Sequence, residues 1–151
     1  MVNSTRIVSI AAGAIGTAFI LLSGTAAATP AEGDSQRTEL AKGTTNTPIS
    51  IVTNGEETAF YVFNVVLPPG ASSGWHTHSG PEQSVVTKGT VFLQTATNCM
   101  PTVFTAGQTV FVPAGVPHRV KNEGPDVAEV VATYTLPADS MTRDDAPAAC
   151  P

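Results

Sequence analysis

Short apolar stretches alternate with turn residues along the chain from Ile49 onward. The stretches are rich in Val, Thr and Phe, and none sustains the 3.6-residue apolar period of an amphipathic helix. Turn-forming residues separate them, as at Asn54-Gly55, Pro68-Pro69-Gly70 and Lys88-Gly89. The pattern predicts an all-β sandwich or barrel. The predicted strands are residues 49–53, 59–67, 83–87, 90–97, 102–105, 109–112, 119–122 and 127–136, with residues 98–101 as a loop.

A different pattern fills the first 28 residues, which we interpret as an export signal. Arg6 is the only charged side chain before Glu32, and an uncharged run follows it to Ala28. The run ends in Ala26-Ala27-Ala28, with small residues at the positions that signal peptidase requires. The alternative is an uncleaved membrane anchor, since roughly 20 apolar residues can span a bilayer. The abundance of Gly, Ala, Ser and Thr favours cleavage after Ala28 and a secreted or extracytoplasmic protein.

This interpretation divides the chain into four segments. Residues 1–28 are the signal peptide, and the polar residues 29–47 are a flexible leader with a short helical turn near residues 39–41. Residues 48–138 are the β-barrel, and residues 139–151 are a C-terminal tail. Removing 28 of 151 residues leaves 123, which is enough for one domain with its own core.

The mature part is acidic and lightly charged. Arg6 is lost with the signal, so six of the seven Lys and Arg remain against twelve Asp and Glu, a difference of −6. Such a surface argues against nucleic acid and anionic membranes as partners. No run of Lys or Arg contradicts this. We therefore expect a small molecule as partner, with no membrane association after signal cleavage.

Both cysteines, Cys99 and Cys150, lie in the mature part. Paired cysteines tend to form a disulfide after export into an oxidising compartment. Cys150 is the penultimate residue of a Pro- and Ala-rich tail that would otherwise fray. We predict that a Cys99–Cys150 disulfide holds this tail on the barrel; the alternative is two free thiols. Metal ligation by either cysteine is disfavoured, because neither has a neighbouring Cys or His at ligand spacing.

All three histidines of the chain fall in two short stretches. His76 and His78 are two residues apart, and on a β-strand such residues point to the same face. Glu82 follows four positions later, and His118 arrives from another strand. Three imidazole nitrogens and one carboxylate suit one divalent transition metal, such as Mn, Fe, Zn, Cu or Ni. The sequence therefore predicts a metal site inside a small β-barrel.

The spacing of these two stretches resembles the two signature motifs of the cupin superfamily. The ten positions that agree with those motifs are Gly70, His76, His78, Glu82, Gly89, Gly107, Pro113, Gly115, His118 and Asn122. The resemblance covers about residues 49–136. It implies a double-stranded β-helix barrel of the jelly-roll type, with one metal held by the three histidines and Glu82.

Other side chains near the motifs have two interpretations each. A register slip of one residue would present the amide of Gln83 in place of Glu82. Trp75 lies opposite His76 by strand parity, so it is expected outside the barrel or at its mouth. Arg119 can hold a substrate carboxylate at the rim or be a solvated surface charge, and Lys121 is expected at the surface. Candidates for a pocket wall, for which ordinary core packing is the favoured explanation, are Phe63, Phe92, Gln94, Val110, Val112 and Tyr134.

Three functions fit a metal in such a barrel. The first is a metal-dependent enzyme acting on a small molecule, since cupins include dioxygenases, oxidases, isomerases and decarboxylases. The second is a non-catalytic module that binds a small ligand or the metal itself. The third, ranked last, is a metal that only clamps strands together. A homodimer is a further option, because the apolar strand 59–67 can form an interface unless the chain's own core buries it.

Overall fold

The computed structural model describes residues 35–151. Its regular structure is all strand, and this range contains no helix. Within it, therefore, no helix is long and apolar enough to cross a membrane. The predicted signal peptide and the start of the leader lie outside the described residues. The strands are β1 (Thr58–Leu67), β2 (His76–Thr77), β3 (Glu82–Lys88), β4 (Thr90–Thr95), β5 (Asn98–Thr105), β6 (Thr109–Val112), β7 (His118–Lys121), β8 (Ala128–Pro137) and β9 (Asp144–Asp145).

The strands form two antiparallel sheets. The first has the order β1-β8-β3-β6, and the second has the order β5-β4-β7-β2-β9. Neighbours in a sheet are often distant in sequence, because the chain crosses from one sheet to the other. Apolar side chains of both sheets meet in one cluster, where Val86 of β3 packs with Val91 of β4 and Val130 of β8. This two-layer arrangement confirms the predicted all-β, double-stranded β-helix fold.

Alternation of buried and exposed positions determines which side chains form the core. In β4, Val91 and Leu93 are buried, while Phe92 between them lies on the other face and is only half-buried. In β6, Val110 and Val112 are buried and pack with Leu93 in a second cluster. The two-residue period that predicted these strands is thus the period of their burial.

Two motif positions have clear structural roles at the barrel rim. Gly89 joins β3 to β4 with a φ of 70°, and a Cβ atom there would lie 2.9 Å from the carbonyl oxygen of Val127. Asn122 is buried, and its Nδ2 donates hydrogen bonds to the carbonyls of Leu67 and Asp126 at 2.8 and 2.7 Å. These bonds connect the end of β1 to the loop that precedes β8.

Three local predictions are wrong. Residues 49–53 do not form a strand: they are exposed, and no strand of residues 35–151 pairs with them. Residues 98–101 are not a loop but the start of β5, which pairs with β4. No helical turn forms at residues 39–41, and the leader instead makes a β-bridge between Thr44 and Gln108.

The structure also contains two strands of two residues each that periodicity could not reveal. β2 and β9 pair antiparallel, with His76 opposite Asp145 and Thr77 opposite Asp144. Two residues are too few to show a period. The pairing places the C-terminal tail beside the first histidine motif.

The predicted disulfide joins Cys99 to Cys150, with Cα atoms 5.5 Å apart. It links the start of β5 to the end of the tail. Together with the β9 pairing, the disulfide attaches the tail to the rest of the fold.

β1 presents apolar side chains to solvent. Phe60 is 76% exposed and Val62 is 63% exposed. Within the described residues β1 is also the end strand of its sheet, paired only with β8. The apolar strand is thus only partly buried, and a homodimer through it remains a prediction.

We predict that replacing both cysteines, Cys99→Ser with Cys150→Ser, lowers the free energy of unfolding by about 3–4 kcal/mol. The reason is the entropy of closing a loop between residues 51 positions apart. Urea denaturation followed by circular dichroism measures the change. An unaltered unfolding midpoint and slope would contradict the prediction.

Candidate metal centre

Three strands bring the four predicted ligands together. His76 lies on β2 directly opposite His118 on β7. Glu82 is the first residue of β3, and His78 follows the end of β2 by one residue. All four side chains are buried, and His118 is completely inaccessible.

The four side chains converge on one small volume. One nitrogen of each histidine and one carboxylate oxygen of Glu82 all lie within 4.8 Å of one another. Glu82 Oε2 is 3.1 Å from His78 Nε2 and 3.2 Å from His118 Nε2. The imidazole centroids of His76 and His118 are 4.2 Å apart. Such a group can hold a metal ion.

Strand parity also decides between Glu82 and its neighbour. Glu82 is buried, whereas the half-buried Gln83 points to the opposite face of β3. The inward position therefore carries the carboxylate and not the amide. Ser84, two residues on and on the same face, donates a hydrogen bond of 2.5 Å to Glu82 Oε1.

Each imidazole has a backbone carbonyl at its other nitrogen. Nδ1 of His76 lies 2.9 Å from the Gly74 oxygen, and Nδ1 of His118 lies 2.9 Å from the Val116 oxygen. Nδ1 of His78 lies 2.5 Å from the oxygen of Thr142 in the tail. A carbonyl only accepts, so each Nδ1 must carry the proton. In the neutral ring, Nε2 then presents a lone pair, as a metal ligand requires.

The electrostatics of the cluster favour a neutral His76 and an ionised Glu82. Burial lowers the pKa of His76 to about 4, so this ring is neutral near pH 7. Burial alone would raise the pKa of Glu82. Hydrogen bonds from His118 and His78, which require a proton on Nε2, and from Ser84 outweigh that effect and hold its pKa well below the usual range. The cluster therefore combines a neutral His76 with an ionised carboxylate.

A divalent cation fits this donor set. With Nδ1 protonated, Nε2 of His78 and of His118 is an acceptor that faces another acceptor, Glu82 Oε2. Acceptors about 3 Å apart need a cation, either a metal ion or extra protons on the rings. Imidazole nitrogens with one carboxylate are typical ligands of first-row transition metals.

A small cavity borders the cluster. Its volume is about 60 Å³, and His76 and Glu82 form part of its wall. Tyr134 also lines it and packs against His78, with ring centroids 4.4 Å apart. Burial and, secondarily, the charge of Glu82 raise the pKa of the Tyr134 phenol, so it stays protonated. The remaining wall residues are Val65, Leu67, Ser73, Val120, Val130 and Ala132.

The predicted wall residues divide into three groups. Tyr134 lines the cavity, which is the less favoured of its two interpretations, and Phe63 packs against its ring at a centroid distance of 5.7 Å. The two valines of β6 are core residues, which confirms the favoured interpretation. Phe92 and Gln94 are wrong predictions, because they alternate with the buried Val91 and Leu93 and point to the other face of β4.

Arg119 is half-buried and not a solvated surface charge, while its role in holding a substrate carboxylate stays a prediction. Its guanidinium lies 5.3 Å from the centre of the Trp75 ring and donates to the side-chain oxygen of Gln94. It is therefore neither at the cavity nor a free surface charge. Trp75 is buried beneath it, and the indole Nε1 has no hydrogen-bond partner among residues 35–151. Lys121 is near the surface, as predicted, and pairs with Glu123.

Two residues of the site were not predicted. Ser84 could have been found, because it shares the face of Glu82 at a two-residue spacing. Thr142 could not, since it acts through its backbone carbonyl and lies 64 positions from His78.

The comparison with known families agrees with this geometry. The family model described as Cupin domain matches residues 63–134, a range that contains all four candidate ligands. Residues 63–134 therefore form a cupin domain. No curated protein matches it in sequence.

Solved structures share the fold. A cupin-like protein from Thermotoga maritima is 26% identical over 59% of this chain and 65% of its own, with a TM-score of 0.51. The DMSP lyase DddQ from Ruegeria pomeroyi is 20% identical over 60% of this chain and 44% of its own, with a TM-score of 0.50. A structure described among the DMSP lyases RdDddP and RnDddQII is 23% identical over 58% of this chain and 44% of its own, with a TM-score of 0.51. The chain thus spans less than two thirds of these three structures, and the two lyase structures show the fold alone.

We predict that Gly80→Ala destabilises the protein by about 1–3 kcal/mol, as overpacking of a tight interior does. A Cβ atom at Gly80 would overlap the backbone oxygen of Thr135, so the segment that precedes β3 must move away from β8 beside Glu82. The matched control is Gly124→Ala, whose Cβ would meet only the side-chain oxygen of Asn122 at 3.3 Å. Thermal unfolding of both variants measures the effect. Equal melting temperatures would contradict it.

Proposed function

We propose that this chain is an exported, metal-binding cupin that presents one divalent transition metal to a small molecule. The ligands are His76, His78, Glu82 and His118. The observation that supports this proposal most directly is that their donor atoms lie within 4.8 Å of one another. In addition, Nδ1 of each histidine faces a backbone carbonyl. The metal is one of Mn, Fe, Zn, Cu and Ni. Which of them binds depends on the relative affinities of these divalent ions for the site and on the supply of each metal.

Four protein ligands leave room for an external one. A five- or six-coordinate metal held by these residues keeps one or two open positions. His76 and Glu82 both form part of the wall of the adjoining cavity, so an open position on that side faces it. This supports a metal that binds a ligand over a metal that only clamps strands.

The cavity limits what can reach the site. At about 60 Å³ it admits a small molecule or part of a larger one, and its wall is mostly aliphatic. Lys and Arg are absent from its wall residues, so the metal would be the main attraction for an anionic group. A bound transition metal would supply Lewis-acid or redox chemistry there, as in an oxygenase, oxidase or isomerase.

A non-catalytic binding module is the second candidate. The polar wall residues other than the ligands are Ser73 and Tyr134. The raised pKa of Tyr134 makes its phenol a hydrogen-bond donor and a poor base near pH 7. A wall with no free general base favours ligand capture over chemistry that depends on proton transfer.

Export is proposed from two features. The first 28 residues have the pattern of a cleavable signal, and the mature chain carries a disulfide between its two cysteines. Disulfides persist in oxidising compartments outside the cytoplasm. Metal would then be acquired after export.

The open position can be tested with Co²⁺ as the metal and azide as a small exogenous ligand. We expect the visible spectrum of the Co²⁺-loaded protein to change on addition of azide, because azide occupies the open position. A spectrum that does not respond to azide would indicate a closed, structural metal and contradict the proposal. Turnover of candidate substrates then separates an enzyme from a binding module.

Replacing the carboxylate by its amide tests the ligand set. We predict that Glu82→Gln weakens Co²⁺ binding by more than the roughly 10–100-fold that loss of an outer hydrogen-bond partner costs. The matched control is Glu129→Gln on β8, which removes a half-exposed carboxylate paired with Lys88. Competition titration against a chelator gives both dissociation constants. Equal constants for the two variants would exclude Glu82 as a ligand.

A further inference from the structure

One ligand of the proposed site depends on a distant part of the chain. The carbonyls that orient His76 and His118 belong to Gly74 and Val116, each two residues away. The carbonyl that orients His78 belongs to Thr142, 64 residues away. The local backbone therefore orients the rings of His76 and His118, whereas the ring of His78 is oriented only when the C-terminal tail is in place.

The same tail supports the strand that carries His76. β2 is two residues long and pairs with β7 through a single residue pair, His76 with His118. On its other edge it pairs with β9 of the tail. The Ala146 N–H donates to the carbonyl of Trp75 at 2.9 Å, one residue before β2.

Further contacts join the tail to both flanks of the first motif. Arg143 Nη1 donates to the Ser73 carbonyl at 3.0 Å. Ser79 and Ser140 share a hydrogen bond of 2.8 Å between their hydroxyls. The tail thus contacts the chain before His76 and after His78.

The tail has little to hold it except these bonds and the disulfide. Asp144 and Asp145 are exposed, and in residues 138–151 the one buried side chain is Cys150. Without apolar burial a segment rich in Pro, Ala and Asp would fray. The Cys99–Cys150 disulfide therefore keeps the Thr142 carbonyl near His78.

We infer that the C-terminal tail, residues 138–151, is a positioning segment of the metal centre, held at His78 by the Cys99–Cys150 disulfide. This inference rests on the proposed metal site. Detaching the tail frees the His78 ring to rotate and removes the partner that fixes its tautomer. The site then loses the orientation of one of its four ligands, as when an outer hydrogen-bond partner is lost.

The test uses Co²⁺ alone as the probe and three variants of the purified full chain. Cys99→Ser with Cys150→Ser removes the disulfide. Ala146→Pro keeps the disulfide but deletes the N–H that donates to Trp75. Ala148→Pro is the matched control, because Ala148 is exposed and lies in the same tail between residue 146 and the disulfide.

We expect the Kd for Co²⁺ to rise about 10–100-fold in the double serine variant, to rise by a smaller factor in Ala146→Pro, where the disulfide still holds the tail, and to stay unchanged in Ala148→Pro. The visible spectrum of bound Co²⁺ should shift in the same two variants, which a purely structural role would not produce. Trp75 is the single tryptophan, so its fluorescence should report detachment of the tail.

Each remaining outcome decides the question. If the double serine variant fails to fold, Ala146→Pro still gives the answer with the disulfide intact. Wild-type affinity and spectrum in a folded Ala146→Pro would overturn the positioning role while leaving the metal site standing. A folded wild-type protein that binds no Co²⁺ would instead overturn the proposed site, and this inference with it.

Discussion

The site depends on the hydrogen bonds by which three backbone carbonyls orient the three imidazole rings at their Nδ1 atoms. Each donates its Nδ1 proton to a backbone carbonyl, so each presents an Nε2 lone pair to the same point beside Glu82. Taken out of water without a cation, these lone pairs and the carboxylate would repel one another. The protein holds them together by burial, by the Ser84 hydroxyl and by the rigid pairing of β2, β3 and β7. A divalent cation bound between these donors would remove the repulsion, as the proposed metal site requires.

The architecture supplies this geometry from distant parts of the chain. The chain passes back and forth between the two sheets. This places β2 beside β7 in one sheet, while β3, which carries Glu82, lies in the other. Glycines at the turns and the Asn122 amide fix the rim. The C-terminal tail then completes the second sheet as β9. The proposed export is compatible with such a tail, because disulfides persist in oxidising compartments.

The parts of the molecule with a period or a motif could be predicted from the sequence. Two-residue alternation gave β4, β6 and β8 nearly to the residue, and the spacing of His76, His78 and Glu82 located the cluster. The cysteine count gave the disulfide. What could not be predicted acts through the backbone or through partners far away in sequence. β2 and β9 are too short to show a period, and the Thr142 carbonyl has no side-chain signature. Residues 49–53 have the composition of a strand but no partner strand among residues 35–151. Composition alone therefore gave a wrong prediction, because a strand also needs a neighbour to pair with.

The most direct test of the account is the metal content of the purified protein, measured by mass spectrometry for wild type, His76→Ala and His118→Ala. The account predicts close to one transition-metal ion per wild-type chain and almost none in either variant, with the barrel still folded by circular dichroism. A folded wild-type protein that contains no metal and takes up none on titration would contradict it.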